Sequence, residues 1–135
     1  MNDAVIALAG FAGWTLILAL IMISFRFMNS FGGEKIPLNA FSPDGDDLPG
    51  FGRRVTRAHL NCVETLPVFA AIVVAASMSG QMHVLEATVI YVLYARLAQS
   101  IVHMVSATVP AVFIRGSLFT VQVVLMLFYV VKLFP

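Results

Sequence analysis

The feature that most constrains this chain is a row of polar residues set into the start of an apolar stretch. Gly52 to Pro67 reads GRRVTRAHLNCVETLP and enters a run long enough to span a bilayer as a helix. Arg57, Asn61 and Glu64 follow Arg53 at steps of four, four and three residues. A helix turns by about 100° per residue, so the four fall on one narrow stripe. A charge facing lipid at mid-bilayer costs roughly 3 kcal/mol or more. The stripe must therefore face protein or a water-filled cavity, and the rest of the chain is expected to wall it in.

Composition agrees with a membrane setting. Of the 135 residues, 60% are hydrophobic and 11% charged, with a mean hydropathy of +0.94. A net charge of +1 gives no electrostatic footprint for nucleic acid. The single cysteine, Cys62, excludes an intramolecular disulfide. The leader Met1-Asn2-Asp3 is acidic where a signal peptide needs basic residues, and the run behind it is too long for a signal core. It reads as a first span.

The sequence predicts an all-α membrane protein, a single domain over 1–135 containing a four-transmembrane-helix bundle. The spans are expected at about 4–26, 54–79, 84–105 and 113–133. Gly10 and Gly13 thin one side of the first, and Pro67 is expected to kink the second. Segment 29–53 is the long loop. Pro43-Asp44-Gly45 and Pro49-Gly50 mark turns in it, and Leu38, Phe41, Leu48 and Phe51 anchor it against the membrane face as a partial lid. Pro110 marks the last turn. Arg26, Lys35, Arg53, Arg54, Arg57 and Arg115 lie at one face and only Lys132 at the other. The inside-positive rule then makes the long loop cytoplasmic and puts both termini outside.

Depth links two helices. Glu64 lies about 15 Å below the entry of the second span, and Arg96 about 15 Å from the exit of the third, which runs the other way. Opposite charges at one level predict a Glu64–Arg96 ion pair, serving either to fix helix register or to build a site. Arg96, Gln99, Ser100 and His103 share one face of the third helix, and Arg115, Gln122 and Tyr129 follow heptad spacing on the fourth. Three polar stripes predict a polar pocket open to the cytoplasm and rimmed by Arg53, Arg54, Arg57, His103 and Arg115. Guanidinium groups suit a small anion, particularly one with carboxylates, while Glu64 and Asn61 suit an ammonium or amide. A nearby Arg also raises the thiolate fraction of a ligand thiol. Arg53 and Arg54 fit interfacial anchors better than ligands. His59 points off the stripe and reads as packing, as does Cys62. No third ligand accompanies His59 and Cys62, so no metal site is expected.

Arg57-Ala58-His59-x-Asn61-x-x-Glu64-x-x-Pro67 resembles the second-helix signature of the MAPEG family, the membrane-associated proteins in eicosanoid and glutathione metabolism. Ala95-Arg96 with His103, and Ile114-Arg115-Gly116-Ser117, resemble its third and fourth helices. The segments PDGDDLPGFGRR and AHLNCVETLPVF look most like the small bacterial members. The resemblance implies a homotrimer in the bacterial inner membrane. It also implies glutathione as co-substrate, bound between subunits near the cytoplasmic side. By position, Arg57, Asn61, Glu64 and His103 would bind glutathione, with Arg26 reaching in from a neighbouring subunit. Arg96 matches the intramembrane arginine, and Arg115 the catalytic one that stabilises the thiolate. Leu60 stands where eicosanoid-processing members can carry Arg, and His103 where they have Tyr. The turn before Arg115 reads as longer than theirs.

Two functions follow. One is a glutathione-dependent membrane transferase or peroxidase acting on a lipophilic electrophile. The other is a non-catalytic scaffold or small-anion-binding module of the same fold.

Overall fold

The computed structural model describes residues 1–32, 37, 39–48 and 50–135. Lys35, Leu38 and Pro49, which entered the expectations above, lie outside the described residues. Among the described residues every regular element is a helix: α1 (Asp3–Phe31), α2 (Gly50–Met78), α3 (His83–Glu86), α4 (Val89–Val105) and α5 (Val109–Leu133).

α1 opens on an Asn2 cap, whose side-chain oxygen accepts from the Val5 amide at 3.0 Å. It runs past Arg26 to Phe31, so the loop expected from residue 29 begins later. α2 likewise starts at Gly50, earlier than expected, and continues through Pro67 as one helix to Met78. The third span is not one helix. The single turn α3 ends at Glu86, Thr88 leaves helical geometry at φ −137°, and α4 then runs for 17 residues, about 26 Å. α5 starts at Val109 rather than 113, because Pro110 sits in its first turn. There the missing proline N–H costs nothing, since that donor would have no helical acceptor.

α1, α2 and α5 are long and apolar enough to cross a membrane, and α4 is a shorter apolar helix. Large exposed side chains such as Leu16, Leu20, Phe113, Val124 and Val131 cover the outer faces with hydrocarbon. The protein is an integral membrane protein. With lipid as solvent, helix association rests on close packing and interhelix hydrogen bonds rather than on escape from water. α1 packs against α2 and α4, and α4 against α2 and α5. Phe11 meets Phe69 with ring centroids 5.8 Å apart, between Leu18, Cys62, Val73 and Val92. Gly10 permits the α1–α4 approach, since a Cβ there would lie 2.7 Å from a Leu93 methyl. Gly13 has no such neighbour and plays no equivalent part.

Segment 41–48 folds back over the end of the bundle where α2 begins. Leu48 is buried, and Gly45, at φ +76°, is buried against the Thr56 side chain. Arg26 donates to the Ser42 carbonyl at 3.3 Å and lies over the Phe41 ring. The Ser42 amide donates to Asp47 at 2.7 Å.

Candidate functional site

The polar stripes meet between α2, α4 and α5. On α4, Arg96, Gln99, Ser100 and His103 are all buried. Each finds a partner on a neighbouring helix. Gln122 donates to Gln99 at 2.9 Å, Cys62 lies 3.7 Å from the Ser100 hydroxyl, and Asn61 lies 3.4 Å from His103 Nδ1. Tyr129, the last member of the α5 stripe, bonds Thr88 at 2.9 Å where α3 breaks from α4. The backbone at the break is satisfied locally, the Thr88 amide donating to the Leu85 carbonyl at 3.1 Å and the Tyr91 amide to the Thr88 carbonyl at 3.0 Å.

At the end covered by segment 41–48 this polar seam opens into a cleft of about 400 Å³. Arg57, Asn61, Glu64, His103 and Arg115 line it, with Leu60 and Asp44. A second cleft of about 360 Å³ continues from it, sharing Asn61, Glu64 and Arg115 and adding Thr65, Gln99 and Phe119. The structure therefore brings together five of the residues singled out from sequence, from three helices. α2 supplies Arg57, Asn61 and Glu64 because their spacing keeps them on one face. α4 supplies His103 from its last turn, and α5 supplies Arg115. Arg115 is half-buried, and its Nε has no hydrogen-bond partner among the described residues. A cation with donor capacity to spare is what a developing thiolate or a ligand carboxylate requires.

Arg26, expected to reach into a neighbouring subunit, anchors segment 41–48 of its own chain. Arg53 and Arg54, expected on the rim, line neither cleft, and Arg53 pairs with Asp46. Arg54 donates from Nε to the Met104 carbonyl at 2.7 Å, satisfying an end carbonyl of α4. The Glu64–Arg96 ion pair does not form: among the described residues the ion pairs run from Asp46 to Arg53 and Arg57. Arg96 is completely buried, donates to the Thr65 hydroxyl at 2.8 Å, and lies over the Phe11 ring with its guanidinium 5.1 Å from the centroid. Glu64 and Thr65 are successive residues, so their side chains diverge by about 100° around α2. The one facing inward is Thr65. Glu64 faces outward into both clefts.

His59 leaves the stripe, as its spacing requires, and reaches the Thr15 carbonyl of α1 at 3.2 Å. Sequence reasoning missed Asp44 in the cleft wall and Asp46 on Arg57. Asp46 Oδ1 lies 2.7 Å from Arg57 Nη2 and 3.0 Å from Arg53 Nη2. A signal was present, since three of the chain's seven acidic residues fall at 44, 46 and 47, just before Arg53, Arg54 and Arg57.

An apolar surface adjoins the cleft. A groove of about 270 Å³ begins at Glu64 and Thr65 and passes between Ile72, Phe119, Met126 and Val130. It runs into a larger one, about 650 Å³, between the far halves of α2 and α5.

Such an arrangement defines an all-helical integral membrane protein with an arginine-bearing cleft beside an apolar groove. The chain belongs to the MAPEG family, whose model matches residues 4–134. Membership of that family points to glutathione-related or eicosanoid metabolism in a membrane. Neither a curated protein nor a solved structure matches the chain.

Proposed function

We propose that the protein is a glutathione-dependent membrane transferase or peroxidase acting on a lipophilic electrophile. The observation that carries this reading is the meeting of Arg57, Asn61, Glu64, His103 and Arg115 on one cleft next to an apolar groove. Arg57 offers a carboxylate a forked donor pair, and Glu64 offers an ammonium its counter-charge. Arg115 stabilises the thiolate. In the transferase reaction the thiolate sulfur attacks an electrophilic carbon held in the apolar groove. A carbon–sulfur bond forms, and the leaving group departs with the electron pair of the broken bond. The protein supplies charge and position and forms no covalent intermediate of its own.

In this reading α3 and α4 together cross the bilayer, which makes four spans with segment 41–48 cytoplasmic and both termini outside. Three copies assemble as a homotrimer in a bacterial inner membrane. Arg26 then belongs to the loop anchor of its own subunit. The alternative is a non-catalytic membrane scaffold or small-anion-binding module of the same fold. One observation favours the scaffold: Arg57 already pairs with Asp46.

Calorimetric titration of glutathione and turnover of a model aryl halide separate the two. Arg57→Ala is expected to weaken binding about 10- to 100-fold, the loss of charge-assisted hydrogen bonds. Arg115→Ala is expected to bind within about twofold of wild type while turnover falls about 10- to 100-fold, the drop in thiolate fraction. Unchanged affinity in Arg57→Ala overturns the cleft assignment. Binding without turnover in the wild type favours the non-catalytic module.

A further inference from the structure

We propose that Asp46 is an internal competitor for the anion seat of the cleft, so that a ligand carboxylate binds Arg57 by exchanging with it. This rests on the reading of the cleft as a glutathione site. Asp46 makes with Arg57, at 2.7 Å, the contact a ligand carboxylate would make. It cannot be treated as a distant surface charge, because its segment forms part of the cleft: Asp44, two residues earlier, lines the wall with Arg57 and Arg115.

The two ends of this device differ in kind. The body of the segment is built to stay in place. Leu48 is 2% exposed, Gly45 sits where a Cβ would lie 2.8 Å from Thr56, and Arg26 holds the Ser42 carbonyl. The contact to Arg57 is built to exchange. The side chains of Asp46 and Arg57 are 52% and 46% exposed, so water screens the pair and competes for both partners. A structural ion pair at this position would be desolvated, and this one is not. Asp46 also touches Arg53 at 3.0 Å, which gives it a second cation to keep when Arg57 is taken by ligand. Arg53 thus holds the displaced carboxylate near the cleft mouth, ready to return. An arriving anion takes Arg57 in its place. Neutral thiols have nothing to offer in exchange, and the latch therefore selects for ligands with a carboxylate.

The test uses the full-length protein in detergent with Asp46→Asn, and a nitroxide at Pro43→Cys in a Cys62→Ala background. The label spectrum reads the segment, and calorimetry with glutathione reads the seat. Asp46→Asn is expected to leave the label as it is in wild type and to tighten glutathione binding about two- to fivefold, the range an exposed ion pair can supply. Asp46→Glu, which keeps the charge, is expected to stay near wild type. A label mobilised by Asp46→Asn overturns the exchange of a side chain on a fixed segment. Affinity that is unchanged or weaker in Asp46→Asn overturns the competition. If no variant binds millimolar glutathione, the functional reading falls, and the ligand-free label spectra still decide whether the segment is fixed without Asp46.

Discussion

Arg96 and Glu64 show what depth alone decides about a side chain. Both were placed mid-bilayer by counting residues, and attraction at that level predicted a pair. Azimuth decided otherwise, giving the guanidinium to Thr65 and the Phe11 ring. Among the described residues Arg96 Nε and Nη1 are buried without partners, so it carries much of a buried charge's desolvation penalty with little of the compensation. Arg96→Met is therefore expected to leave thermal stability unchanged or raised. A fall in Tm of more than about 4 °C, roughly 1 kcal/mol in a domain this size, would contradict that. At the loop, the Ser42 hydroxyl and then the Asp46 amide hold the Asp44 carboxyl down to about 2 from 3.8. A lowered folded value means that its contribution to loop order is present above pH 3.8 and is lost as pH falls through about 2. An NMR titration should place the Asp44 midpoint near 2, and Ser42→Ala should move it toward 3.8. An unmoved midpoint would show that the Ser42 bond is not its cause.

At the scale of elements, much of the site was legible in the sequence. Spacings of three, four and seven residues put Arg57, Asn61 and Glu64 on one face of α2, and Arg96, Gln99, Ser100 and His103 on one face of α4. Helical geometry obliges such sets to share a face, and one face can be buried on one neighbour. Element ends were less legible, because helix and turn signals overlap there. Pro110 belongs to the first turn of α5, and the third span breaks at Thr88, whose hydroxyl bonds Tyr129, 41 residues away. Segment 41–48 was hardest to read. Its contacts join Arg26 to Ser42 and Asp46 to Arg57, and no periodicity encodes pairs so far apart. Gly45 gives that segment a test of its own. Alanine there would carry φ +76° and press a Cβ to 2.8 Å from Thr56. The left-handed backbone alone costs about 1–2 kcal/mol. Gly45→Ala should undock the segment, seen as faster limited proteolysis near residue 45, while far-ultraviolet circular dichroism of the helices stays unchanged. Wild-type cleavage rates would show that the close approach is not what holds the segment.

For the whole molecule, we propose that three helices place the Arg115 cation beside a cleft that takes an anionic thiol. Other consequences of the fold follow from it. The apolar groove serves a lipophilic partner only if the thiol is held at its polar end, and the Asp46 latch matters only if Arg57 has a ligand to exchange for. Family membership sets the frame for this chemistry, and the cleft gives it residues. Leu60 lines the cleft where an additional arginine would crowd it with charge, which leaves Arg57 and Arg115 as its two cations. The most direct test is the ultraviolet difference spectrum of bound glutathione at neutral pH. The predicted result is a thiolate absorption band in the wild type that is lost in Arg115→Ala while glutathione remains bound. Saturating glutathione that binds with no thiolate band, or a band of full strength in Arg115→Ala, would contradict it.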